Sequence, residues 1–287
     1  MVSLIRMEMY KAFHNMWFII ALSILVILAV LTAINQIIDR ASELLEVFSI
    51  LDIKYMPYDV DSCFRNWLSL DAYSLARFFM LAAPFLCVVA YAWSLAQEEK
   101  SGYLCTALTR IDRKNYYIAK YIAVFISGGS LIAIPLIINF AILVCFLPMY
   151  MPQIVTAHYA IDIESVFGHV FYNQPLLYVI GKTIFDFLLC GLWAVCILAL
   201  STVMKNRVTL LIIPYAFLLL LKHLGTKIMI MLRASGIEQV SSFTLFDQLP
   251  SMGDYFPALW WVTCLCMLFM FIFSIVVPWA ARKRDVL

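Results

Sequence analysis

Apolar runs of roughly 20 residues alternate with short polar stretches along this chain, and a run of that length crosses a hydrocarbon core of roughly 30 Å as a helix. The pattern predicts six spans: Trp17 to Ile38, Ala72 to Ala96, Tyr121 to Leu147, Leu176 to Val203, Val208 to Leu224 and Ala258 to Ala280. Pro84 predicts a kink in the second, which membrane helices tolerate because neighbours re-satisfy the freed backbone groups. Ahead of the first span, residues 1–15 place Val2, Ile5, Met9 and Phe13 on one helical stripe, with Glu8, Lys11 and Asn15 elsewhere on the wheel. Such a helix lies in the membrane interface; a frayed, positively charged leader is the alternative. Trp17 to Leu31 runs into Thr32-Ala33-Ile34-Asn35-Gln36 without a small-residue cleavage site, so it reads as a retained first span.

The polar stretches divide by charge. Residues 39–70 carry Asp39, Glu43, Glu46, Asp52, Asp59 and Asp61 against Arg40, Lys54 and Arg65, and Ser42 to Leu51 has the spacing of a small external helix. Residues 148–175 carry His158, Asp162, Glu164 and His169 and no lysine or arginine. Residues 225–257, with Lys227, Arg233, Glu238, Asp247 and Asp254, look too polar for a crossing and predict short helices in or on the outer leaflet. Between spans 2 and 3, residues 97–116 form the longest charged run, QEEKSGYLCTALTRIDRKNY, continuing to Lys120. Within it, Ser101 to Leu108 predicts a short helix with Leu104, Ala107 and Leu108 on one stripe.

Composition agrees with the pattern. The 287 residues are 64% hydrophobic and 13% charged, against about 45–50% and 25% in soluble domains. The fold class is an all-α polytopic membrane protein, one transmembrane domain over residues 1–287. Orientation follows the cations near span ends. With both termini cytoplasmic, the inner side holds Arg6, Lys11, Lys100, Arg110, Arg113, Lys114, Lys120, Lys205, Arg207, Arg282, Lys283 and Arg284, and most acidic residues fall outside. Of the eight cysteines, only Cys63 falls in an external segment and Cys105 in the charged loop; the rest sit in apolar runs, and no C-x-x-C pair exists.

Chemistry-bearing motifs are absent. Gly181-Lys182-Thr183 ends like a phosphate-binding loop, but the required earlier glycine is Leu176. Ile126-Ser127-Gly128-Gly129-Ser130 lies inside span 3, where small residues permit close packing. Glu98-Glu99 lacks the arginine an intramembrane protease would place at Tyr103, and the histidines never fall four apart. No catalytic residue and no metal ligand emerges. Lys182 and Asp186, four apart and opposite in sign, share a face of span 4; buried ionisable residues in a membrane mark a pairing or a transport site. Arg77 is a second candidate partner for Asp186.

Two stretches resemble one family. Ser3 to Lys11 running into Trp17 is similar to the interfacial elbow helix of ABC-2 type (type V) exporter membrane subunits. Glu98-Glu99-Lys100-Ser101-Gly102, Leu108-Thr109-Arg110, Tyr116-Tyr117 and Lys120 resemble the surroundings of that family's coupling helix, although Ala107-Leu108-Thr109 departs from its usual sequence before the arginine. The resemblance implies a permease subunit for an amphipathic or hydrophobic substrate (peptide, lipid or drug), in a bacterial plasma membrane with both termini cytoplasmic. It implies ATPase-coupling roles for Glu98, Glu99, Lys100, Gly102, Leu104, Leu108, Arg110 and Arg113. It implies no cofactor on this chain: ATP and Mg belong to a separate ATPase subunit in two copies, beneath two membrane subunits, identical or different. Membrane lipid is the remaining expected partner, and nucleic acid is not one. The rival reading is a non-transporting immunity or assembly factor that binds a ligand with its external segments.

Overall fold

The computed structural model describes residues 1–50, 62–70, 74–152, 161, 166–235, 244–250 and 259–282. Among these, every regular element is helical: α1 (Val2–Phe13), α2 (Met16–Ile50), α3 (Ser74–Tyr91), α4 (Ser94–Lys100), α5 (Tyr103–Leu108), α6 (Arg113–Phe146), α7 (Gly168–Asn173), α8 (Pro175–Leu200), α9 (Arg207–Ala234), α10 (Leu245–Gln248) and α11 (Trp260–Arg282). Six stretches are long and apolar enough to cross a membrane: Met16–Asp39, Ser74–Lys100, Arg113–Phe146, Pro175–Leu200, Arg207–Ala234 and Trp260–Pro278. The chain is a multi-pass membrane protein.

The centre of the bundle is the pair α6 and α8. Their backbones approach closely because Gly128, Gly129 and Gly191 line the crossing: a Cβ on Gly129 would stand 2.6 Å from the Phe187 carbonyl, and one on Gly191 2.8 Å from that of Phe125. Close approach through small residues is the main packing device where lipid supplies no hydrophobic drive. α2 and α3 pack around α6, while α11 lies against α8. α9 and α11 turn most of their surface outward, with Phe217, Leu220, Phe269 and Phe271 exposed.

Local signals explain several boundaries. Pro175 opens α8 at a position where its missing N–H costs nothing. Asn206 caps α9 by accepting from the Val208 amide at 3.3 Å. Pro84 lies inside α3, and the interruption of the second span falls later, at Ala92 and Trp93. There the Trp93 indole donates to the Val89 carbonyl at 2.7 Å, satisfying one acceptor that the helix end frees.

Three expectations need correction. The Ser42 to Leu51 stretch is not a separate external helix, because α2 continues unbroken through Ile50. The fifth span does not end at Leu224: α9 runs on to Ala234 and carries Lys227 and Arg233 with it. Residues 225–234 therefore belong to that helix, and among the described residues α10 is the short helix before α11. The cationic residues fall in its last turns, at a helix end where chain termini of spans tolerate charge. The third helix also starts earlier than Tyr121, at Arg113. In α1 the face buried against the bundle is Leu4, Glu8 and Ala12, distinct from the Val2, Ile5, Met9 and Phe13 stripe. A carboxylate sits on the inward face because partners from other helices meet it there. Glu238, Asp254, His158, Asp162 and Glu164 lie outside the described residues, as do Asp52, Lys54, Asp59, Asp61, Lys283 and Arg284.

The stretch 62–70, read from sequence as part of a polar segment, is a plug in the bundle. Cys63, Phe64, Trp67, Leu68 and Leu70 are buried. Trp67 donates its indole N–H to the Leu136 carbonyl at 3.2 Å, and Asn139 on α6 accepts from the Leu68 amide at 3.0 Å. The same Asn139 donates to the Ala29 carbonyl on α2 at 2.9 Å.

Candidate functional site

The charged run after α3 folds into α4, a turn, α5 and the start of α6. Gly102 makes the turn with φ 75°, left-handed backbone that a side chain resists. α5 then presents Ala107 inward, while Leu104 and Leu108 are half-buried and Tyr103, Thr106 and Arg110 are exposed. The solvent face of this loop is polar; its leucines face a cavity beneath it.

Five helices converge behind the loop on one buried ionic cluster. Lys120 Nζ on α6, wholly buried, stands 3.0 Å from Glu8 Oε2 on α1 and 2.6 Å from Glu98 Oε1 on α4. It also donates to Tyr91 Oη at 3.2 Å, and Tyr91 in turn donates to Glu8 Oε2 at 3.0 Å. Tyr116 donates to Glu98. Lys11 closes the set by bonding Glu8 Oε1 at 2.8 Å and reaching Tyr103 Oη on α5 at 3.4 Å.

Two carboxylates and two ammonium groups balance, which is the condition for burying charge without a large penalty. Burial alone pushes the Glu8 carboxyl up, but Lys120 and Lys11 outweigh it and hold the group below the ordinary carboxylate range. Burial lowers Lys11, and its bonds to Glu8 and Tyr103 outweigh that loss, leaving it above the ordinary lysine value.

Around this cluster the other expected residues are separated by role. Glu99 turns away from Glu98 and pairs with Lys205 at 3.0 Å, in the turn between α8 and α9. Arg113 lies over the Tyr117 ring at 5.9 Å. Lys100 and Arg110 are exposed. Arg207, next to that turn, stacks on Trp93 at 3.6 Å and on Trp17 at 4.7 Å, so the break in span 2, the start of α2 and the start of α9 share one cation.

Sequence reading placed Glu98 and Lys120 in this region but left out Glu8, Tyr91 and the Trp17–Arg207–Trp93 stack. The one available signal for Glu8 was a carboxylate three residues before Lys11 on the helix ahead of the first span.

The second expected pair lies apart, within α8. Lys182 Nζ bonds Asp186 Oδ1 at 2.5 Å and the carbonyls of Gln248 and Leu249 at 3.0 and 2.8 Å. Those carbonyls close α10, so Lys182 ties α10 to α8; Thr263 of α11 bonds Gln248 Oε1 at 2.5 Å. All three ammonium protons have acceptors, and both residues of the pair are buried. This is a structural clasp.

No group of three metal-ligating side chains occurs among the described residues. In comparisons with known proteins, no family model and no curated protein matches this chain.

Proposed function

We propose that this chain is the membrane subunit of an ATP-driven ABC-2 type exporter, moving an amphipathic or hydrophobic substrate with an ATPase carried on a separate polypeptide. The observation that supports the reading is the buried cluster of Glu8, Lys11, Glu98 and Lys120. It ties an interfacial helix, the loop between spans 2 and 3 and the third span into one mechanical unit. A force applied to α5 from the cytoplasm would reach α1 and α6 together. In this reading Tyr103, Thr106 and Arg110, exposed on and just after α5, meet the motor, and Gly102 sets the angle at which α5 is presented. Residues 1–287 carry no nucleotide-binding motif, and in this reading the energy comes from the separate ATPase.

The test is purification of the tagged chain from its native membrane. An ATPase should co-purify, and its lipid-stimulated turnover should fall by about tenfold in Arg110→Ala, the scale of losing an interfacial contact of 1–2 kcal/mol. If no ATPase accompanies the chain, the exporter reading fails and the ligand-binding immunity factor takes its place.

A further inference from the structure

The crossing of α6 and α8 has a third member. A Cβ on Gly128 of α6 would stand 2.6 Å from Ala194 Cβ on α8 and within 4 Å of two carbonyl oxygens, those of Cys190 on α8 at 3.4 Å and of Cys87 on α3 at 3.7 Å. Three backbones therefore meet at one glycine, and α3 and α8 each bring a cysteine to it. Cys87 and Cys190 are buried, with 1% and 0% of their surface exposed, and their thiols share a hydrogen bond. The same two helices are tied again close by. Trp193, three residues after Cys190, donates its indole N–H at 3.1 Å to the carbonyl of Pro84, three residues before Cys87.

A carboxylate stands beside the pair. Asp186 lies about one turn before Cys190 on α8, and side chains four apart share a helix face. One oxygen of Asp186 is bonded to Lys182. The other, Oδ2, is buried and accepts no hydrogen bond among the described residues. An unpaired buried acceptor costs free energy, and the clasp on α10 uses only Oδ1, so it gives Oδ2 no task. Asp186 and Lys182 both act electrostatically on Cys190, which places the idle oxygen's carboxylate next to the thiols. Cys196, further along α8, is a contrast: its thiol donates to the Met270 carbonyl at 3.1 Å.

We propose that Cys87 and Cys190 form a redox-modification site, closed to a disulfide between α3 and α8 by a small uncharged hydroperoxide, with Asp186 as proton acceptor for Cys190. The Cys190 sulfur attacks a peroxide oxygen; an S–O bond forms and the O–O bond breaks. The thiol proton passes through Asp186 Oδ2 to the departing oxygen, which leaves as an alcohol or as water, and Cys190 becomes a sulfenic acid. The Cys87 sulfur then attacks the Cys190 sulfur. The S–S bond forms, the S–O bond breaks, and the hydroxyl leaves as water with the Cys87 proton. The two thiols lose two electrons and the peroxide gains the same two. A charged oxidant such as glutathione disulfide is excluded by the cost of bringing charge into a membrane bundle, which a neutral hydroperoxide does not incur. The bond would fasten span 2 to span 4 whether or not the chain belongs to a transporter.

The test uses the purified full chain in detergent. Exposed Cys105 is first blocked with a maleimide, cumene hydroperoxide is added for increasing times, and the protein is denatured in iodoacetamide and mapped by mass spectrometry. A Cys87–Cys190 linked peptide should accumulate and be released by dithiothreitol, while Cys196 is recovered as a free thiol. Cys87→Ser should give no link and leave a Cys190 sulfenic acid that dimedone traps. Asp186→Asn should slow formation of the link by about a hundredfold, the low end for loss of a general base, yet reach the wild-type extent. A displaced thiol pair would lower the extent as well, so the split between rate and extent separates proton transfer from structure. Cys87 and Cys190 recovered free from wild-type protein, under conditions that oxidise the exposed thiols of Cys145 and Cys264, would overturn the proposal. So would linkage of either residue to a different cysteine. An unaltered rate in Asp186→Asn would overturn the role given to Asp186.

Discussion

Lys120 carries the most consequence per atom in this chain, because it is buried to the last ångström and bonded to carboxylates from two other helices. Replacing it with methionine removes a charge that Glu8 needs, although Glu8 keeps Lys11, and Glu98 is near enough to the surface to reach water. The expected cost is therefore at the low end of the range for a broken buried pair, about 3 kcal/mol, read as a lowered midpoint in thermal denaturation of the purified protein. The double variant Glu8→Gln with Lys120→Met should recover part of that loss, since it leaves no unmatched charge.

Acidification tests the same contact. The Glu8 carboxyl is held below its ordinary value of 4.5, so its contribution is complete above that pH and fades as pH falls through the lowered value. Lys11, held above its ordinary 10.5, contributes fully below that pH and loses its share as pH rises through the raised value. Stability against pH should thus show a plateau between these limits, and Glu8→Gln should flatten its acid edge. Sequence alone shows Glu98 and Lys120 as charges flanking a loop. It does not show Glu8 as their partner, because helical periodicity assigns a lone carboxylate to the wet side, and its partners stand 83 and 112 residues away at Tyr91 and Lys120.

Among elements, the crossing of α6 and α8 was legible: the Ser127-Gly128-Gly129 run announced close packing, and the structure puts carbonyls where side chains would go. Gly129→Ala and Gly191→Ala should each cost about 1–3 kcal/mol through overpacking, measured as a lower denaturation midpoint; Gly181→Ala, whose added Cβ meets nothing nearer than 3.6 Å, should be close to neutral. The length of α9 was not legible. Lys227 and Arg233 lower the mean hydropathy of its last three turns, yet helix ends tolerate basic residues whose apolar stems stay in the membrane while their heads reach water. The break between α3 and α4 was hidden for the opposite reason. Pro84 drew attention as the breaker, while the side chain that actually satisfies the helix end is Trp93. The Lys182 clasp makes its own prediction at this scale. Lys182→Met should be far more destabilising than Asp186→Asn, because the first strands a buried carboxylate and frees two α10 carbonyls, whereas the second leaves the amine its two carbonyl acceptors.

For the molecule as a whole, six crossings were plain from the apolar runs, and the basic residues at the span ends give the proposed side of each loop. Labelling decides it. In a variant retaining Cys105 as its single cysteine, a membrane-impermeant maleimide should react from the cytoplasmic side, since that side chain is exposed on α5. Reaction from outside would reverse the orientation and end the exporter reading.

Asn139 reaches further than its two hydrogen bonds imply. It lies 19 residues beyond Lys120 on the same helix, α6, which carries Pro135 between them, a separation of about 28 Å at 1.5 Å per residue. A tilt of about 10° pivoting at Lys120 would carry Asn139 about 5 Å sideways along that arm, well beyond the reach of its bonds to Ala29 and Leu68. Any such swing must drag α2 and the 62–70 plug along, so that plug and the charged loop at the opposite end of α6 turn together.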